Sequence, residues 1–150
     1  MREMRARVVV GIGVAVALLS AAPGARGPLA ERQDRTVWDG IYTQEQAERG
    51  AVLYEDWCAN CHASDLSGGD VAPGLVGGEF VWNWSGLTVG QLFERLRISM
   101  PQEDPAAVTR SEKADILAFM LLVNEFPAGE RELPDRAAML EQFLFEAIQP

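Results

Sequence analysis

Both cysteines and the only histidine of this chain fall in one pentapeptide, Cys58-Ala59-Asn60-Cys61-His62. Every thiol and imidazole that the 150 residues can offer is therefore within five positions. Two cysteines cannot build a multi-disulfide scaffold. Tetrahedral zinc needs four ligands, and there is no second Cys or His pair to complete them. A thioredoxin-like dithiol belongs in a βαβ setting, and no strand pattern flanks this motif. A plain disulfide remains compatible with the count alone.

The spacing suits another chemistry. Two thiols separated by two residues at the end of a helix can add to the two vinyl groups on one edge of a porphyrin. The next residue then lies beneath the ring, where an imidazole nitrogen can bind iron. C-x-x-C-H is the signature of c-type haem attachment. On this reading Cys58 and Cys61 carry one covalently attached haem c and His62 is the proximal ligand. The sixth ligand is then neither His nor Cys. Beyond residue 24 the methionines are Met100, Met120 and Met139. Met120 sits in an unbroken apolar run and Met139 on a tail stripe, where methionine serves as core filler. Met100 follows a helix and precedes Pro101, which breaks helical geometry. A methionine there can turn its sulfur inward, so Met100 is the expected distal ligand.

The chain opens as an address. Arg2, Arg5 and Arg7 precede an apolar run from Val8 to Leu19, and small residues follow from Ser20 to Ala25. That is the order of a cleavable export signal, and a dozen apolar residues fall short of the ~20 that span a bilayer. Cleavage near Gly24 delivers the rest to an oxidising compartment, the periplasm. Loss of residues 1–24 takes three Arg and one Glu from 13 basic and 22 acidic residues, leaving 10 against 21, a net charge of -11. Such a surface excludes a dedicated nucleic-acid binder. No stable membrane span is expected in the mature chain.

Helix signals divide the remainder. Residues 25–36 read as a flexible leader, with order beginning near Val37. Thr43 and Gln46 form a T-x-x-Q capping box before a helix to about 57. The glycine-rich stretch 58–87 reads as loop. Thr88 caps a helix with Val89, Leu92, Phe93 and Leu96 on one face, stopped by Pro101. Thr109 and Glu112 form another capping box, and Ile116 to Val123, apolar on all sides, must be buried on all sides. A last amphipathic helix is expected over 135–147, with Met139, Leu140, Phe143, Leu144 and Ala147 on its stripe. The expected map is a signal peptide 1–24, a leader 25–36, an all-α domain 37–127 and a tail helix 128–150.

From Trp38 to Phe126 these features resemble a class I cytochrome c. The resemblance implies three core helices around one haem, with the first and last crossing where Gly50 and Tyr54 meet Phe119. It implies that the Pro73 carbonyl accepts the second N–H of the proximal histidine. It also implies that Trp82 or Trp84 closes the haem pocket and bonds a propionate. Two features depart from mitochondrial members: the chain has one lysine, Lys113, in place of a lysine-rich haem edge, and it continues into 128–150. The stretch Trp38 to Thr43, the long Gly-rich loop and Phe126-Pro127 resemble small cytochromes c associated with quinoprotein (PQQ) alcohol and sugar dehydrogenases. The resemblance thus implies an electron carrier and not an enzyme. It would accept electrons from a dehydrogenase and pass them toward a terminal oxidase or another cytochrome. Two other readings stay open: a haem subunit docked in a larger oxidoreductase through the tail stripe, and a haem enzyme or sensor with a labile sixth ligand.

Overall fold

A computed structural model describes residues 35–150. The expected signal, 1–24, and all but the last two residues of the expected leader lie outside them. Those two, Arg35 and Thr36, form strand β1, so the ordered chain starts ahead of the expected Val37. Thr36 caps a single 3-10 turn, Val37–Asp39: its Oγ1 accepts from Trp38 N–H, and Asp39 accepts from Thr36 N–H.

Six helices follow: α1 Gln44–Trp57, α2 Ala59–His62, α3 Gly77–Trp84, α4 Val89–Ser99, α5 Arg110–Val123 and α6 Ala137–Leu140. Strand β2, Phe143–Leu144, pairs in parallel with β1. The architecture is the expected all-α one. Thr109 with Glu112, and Thr88 with Gln91, make complete capping boxes. The box at Thr43 is only half made. Its hydroxyl accepts from Gln46 N–H, but the Gln46 amide turns away to pair with both backbone groups of Leu133, at 3.0 and 2.6 Å. Gln46 is buried, so a partner that satisfies both ends of its amide wins over the cap.

Helices α1 and α5 form the central contact. A Cβ on Gly50 would collide with the Asp115 carbonyl, so the two backbones meet where only hydrogen fits. One turn on, the Tyr54 and Phe119 rings lie 5.4 Å apart, as the resemblance implied. Burial of α5 reaches from Lys113 to Ala118 and then Met120 and Leu121, further toward its N-terminus than the apolar run suggested, while Phe119, Leu122 and Val123, expected buried, are only half-buried.

Two regions differ from expectation. The stretch 58–87 is not all loop, since it contains α2 and α3. Helix α2 is one turn, too short for a period to register. Helix α3 opens on Gly77-Gly78, which read as breakers, yet Phe80 buries against the core and holds it there. The tail is not a helix over 135–147. After α6 it extends, with Arg35 opposite Phe143 and Thr36 opposite Leu144. Phe143 and Phe145, two apart, both enter the core, an alternation that a strand supplies and a helix does not. Phe145 N–H donates to Leu87 O, Gly86 N–H to Phe145 O, and the Trp38 indole to Glu146 O. Of the expected stripe, Leu140 and Phe143 therefore lie on the chain's own core, joined by Phe145, while Leu144 and Ala147 are half-buried and Met139 stays exposed. Among the described residues no helix is long and apolar enough to cross a membrane.

Candidate functional site

Helix α1 ends at Trp57, and the chain turns at Cys58 into the single turn α2. Cys61 N–H and His62 N–H both return to Cys58 O, at 3.1 and 2.9 Å. This tight turn sets Cys58, Cys61 and His62 in one local frame. Both thiols are free and half-buried, and His62 is buried. Burial first, and the neighbouring Cys61 second, push the Cys58 thiol up to about 11. Redox-active dithiols instead rely on a lowered thiol pKa.

The His62 ring is oriented from the following loop. Its Nδ1 lies 2.8 Å from Pro73 O. A carbonyl oxygen can only accept, so Nδ1 carries the proton and the neutral ring keeps its lone pair on Nε2. The loop reaches that position by folding tightly on itself. Gly68 adopts φ +75°, and a Cβ there would collide with the backbone at Pro73 and Gly74. Gly68 N–H donates to His62 O and Leu75 N–H to Leu66 O, both closing the same loop. Asn124, at the end of α5, secures its far side, donating to Leu75 O and accepting from Gly77 N–H. The Tyr54 hydroxyl donates to Ala63 O just past the motif.

Met100 is the residue at which α4 stops, in extended geometry. It lines one cleft with Cys58, Leu96, Pro101, Val108, Lys113 and Ile116. The fold thus brings a thioether to the cysteine turn across 42 residues of chain, while Met120 is buried in α5. Trp82 and Trp84, indistinguishable by sequence, diverge here. Trp84 is half-buried with its ring 6.5 Å from Phe80, and Trp82 is 61% exposed.

Sequence reasoning passed over two groups beside the site. Asn124 gave no signal, since a polar residue ending a helix is ordinary. Lys113, noted in the sequence only as the sole lysine, is 2% exposed, with Nζ donating to Arg97 O at 2.9 Å and Pro105 O at 2.6 Å. Burial holds its pKa below the usual lysine range. Its isolation as the sole lysine, three residues ahead of an unbroken apolar run, was the available clue.

One family matches, over residues 45–120; it is described as cytochrome c oxidase, cbb3-type, subunit III. No curated protein and no solved structure matches the chain. A cytochrome c of that kind implies covalent haem c. The residues present fit such a group: two free thiols in one turn, an imidazole whose Nδ1 is tied to Pro73 O and whose Nε2 is left to bind metal, and an apolar cleft carrying a thioether. The matched segment covers half of the chain and contains the whole of the site, and the chain belongs to that family of cytochromes c.

Proposed function

We propose that the chain is an exported electron-transfer cytochrome with one haem c, held by thioether bonds from Cys58 and Cys61 and ligated by His62 and Met100. The observation that carries this reading is the His62–Pro73 bond, which presents Nε2 as a metal ligand within a turn that also carries both thiols. When bound, the haem supplies one-electron chemistry at iron, with a potential raised by methionine sulfur. The chain's own residues do the rest. Pro73 fixes the imidazole tautomer and raises its basicity. Leu96, Val108 and Ile116 keep water from the methionine side. Two protein ligands leave no open coordination site for a small substrate, which favours a carrier over a catalyst.

The electrons come from a dehydrogenase, of the quinoprotein type that acts on alcohols or sugars, and leave toward a terminal oxidase. What supports the donor is the resemblance of Trp38 to Thr43 and of the Gly-rich loop. The acidic surface favours a basic docking face on the partner. The order of charged, apolar and small residues over 1–24, that of an export signal, supports exchange in the periplasm. A second reading, a haem subunit within an oxidase, draws on the description of the matched family. Burial of Leu140 and Phe143 on the chain's own core takes from this reading the centre of the anchor it would have used.

Denaturing extraction in acidified solvent tests the attachment. Haem should stay with the unaltered chain, and Cys58→Ala with Cys61→Ala should release it. Free haem from the unaltered protein would refute the reading. Mixing with a quinoprotein alcohol dehydrogenase and its alcohol should reduce the protein within seconds, and no reduction rejects that donor. Elution of the native protein within a large complex, in place of a free single chain, would favour the subunit reading.

A further inference from the structure

The only lysine of the chain is buried, and its ammonium has no carboxylate within salt-bridge reach among the described residues. Burying a charge is expensive unless its hydrogen bonds are met. Here two backbone carbonyls meet them, from well-chosen places. Arg97 O belongs to the last turn of α4, where carbonyls lack helical partners and the helix dipole favours a cation. Pro105 O lies on the far side of the segment that leaves Met100. The lysine itself stands in the first turn of α5, a helix clamped to α1 at Gly50. Its stem lines the same cleft as Met100.

We propose that Lys113 is the positioning residue of the methionine loop: by bonding Arg97 O and Pro105 O it ties both sides of the segment around Met100 to α5, and so holds the sulfur over the haem site. The inference rests on Met100 as the distal ligand. Packing alone would be served by an apolar side chain. A charge tied to both sides of one loop specifies where that loop stops. Loop position and ligand bond are then linked, so weakening one must weaken the other.

The test uses the haem-loaded full chain and four measurements. In Lys113→Met, which keeps the stem and removes the donors, the weak red-region sulfur-to-iron band should fall and added imidazole should bind about tenfold faster. Tyr42→Phe, which removes a buried hydrogen bond to Phe126 O far along the chain, should lower stability yet leave the band and the imidazole rate unchanged. An imidazole rate in Lys113→Met within about twofold of the unaltered protein overturns the proposal. Should that variant fail to fold, the unaltered protein supplies the reverse measurement. Acetylation of the sole lysine, mapped by peptide mass, should accelerate roughly fivefold when saturating imidazole displaces the methionine. No acceleration overturns the proposal. Met100→Ala separates the two layers. If it abolishes the band while Lys113→Met does not, Lys113 loses its role and the ligand assignment stands. If Met100→Ala keeps the band, both fall.

Discussion

Phe145→Ala measures how far the C-terminal segment belongs to the cytochrome core. Phe145 is fully buried, with edge-on contacts to Phe80 at 6.1 Å and Phe126 at 5.2 Å between ring centres. Truncating a core phenylalanine to alanine costs about 3–5 kcal/mol, including the cavity left behind. Residues 35–150 are 116 residues. At about 2.1 cal/mol/K per residue, their unfolding entropy is about 0.24 kcal/mol/K. A loss of ~4 kcal/mol therefore lowers Tm by about 16 °C. Met139→Ala, four residues beyond Asp135 on the same segment but half exposed, should shift Tm by about 2 °C or less. Both are read by far-ultraviolet circular dichroism on the haem-loaded protein, with the sulfur-to-iron band recorded at 25 °C. Equal small shifts would refute the packing argument and return the stripe to a partner. Loss of the band while the protein is still folded would refute the separation of tail from haem site.

Gly50→Ala should be more damaging than its single methyl suggests. The backbone of α5 must retreat for it to fit, so a loss of at least ~3 kcal/mol, or failure to accumulate folded protein, is expected; thermal melting checks this. Met100→Ala should remove the red-region band and lower the reduction potential, whereas Met120→Ala should lower stability by about 2–5 kcal/mol and keep the band; the reverse pattern would transfer the ligand role. Glu112 is held below the usual carboxylate range by its bonds to Thr109, so it contributes stability above its ordinary pKa that is lost as pH falls through the lowered value. Melting curves of Glu112→Gln should accordingly lose less on acidification than those of the unaltered protein. Electron transfer with a basic partner should slow as salt rises through the physiological range, where the Debye length is about 8 Å, and a rate independent of ionic strength would reject electrostatic docking.

The parts of the molecule legible in the sequence are those whose physics is local. Helices α4 and α5 announce themselves by complete caps, followed in α4 by an apolar period of three turns and in α5 by an unbroken apolar run. The tail reads as a helix because Met139, Leu140, Phe143 and Leu144 make a helical stripe, while the strand alternation of Phe143 and Phe145 is only two residues deep. What decided between them was β1, over a hundred residues away, and no window on the sequence contains both. Gln46 shows the same limit in one side chain. Its spacing from Thr43 fits a capping box, but the box competes with Leu133 across 87 positions, and the buried pair wins.

The candidate site divides along the same line. Its covalent half was readable because attachment to one edge of a porphyrin demands thiols and imidazole in adjacent positions, which compresses the chemistry into five residues. Its opposite half cannot be compressed, because a ligand on the other face must come from a distant segment. The sequence reduced that choice to Met100 by removing methionines with packing roles, but it said nothing of what holds the loop. That task falls to Lys113, whose two bonds run to backbone carbonyls. Carbonyls are present at every position and carry no residue identity, so a contact of this kind leaves no pattern to read. The one trace it can leave is a charge just ahead of an unbroken apolar run. A charge placed so deliberately within a buried face is better explained by the loop it fixes than by the stability it adds, since burial works against the ammonium.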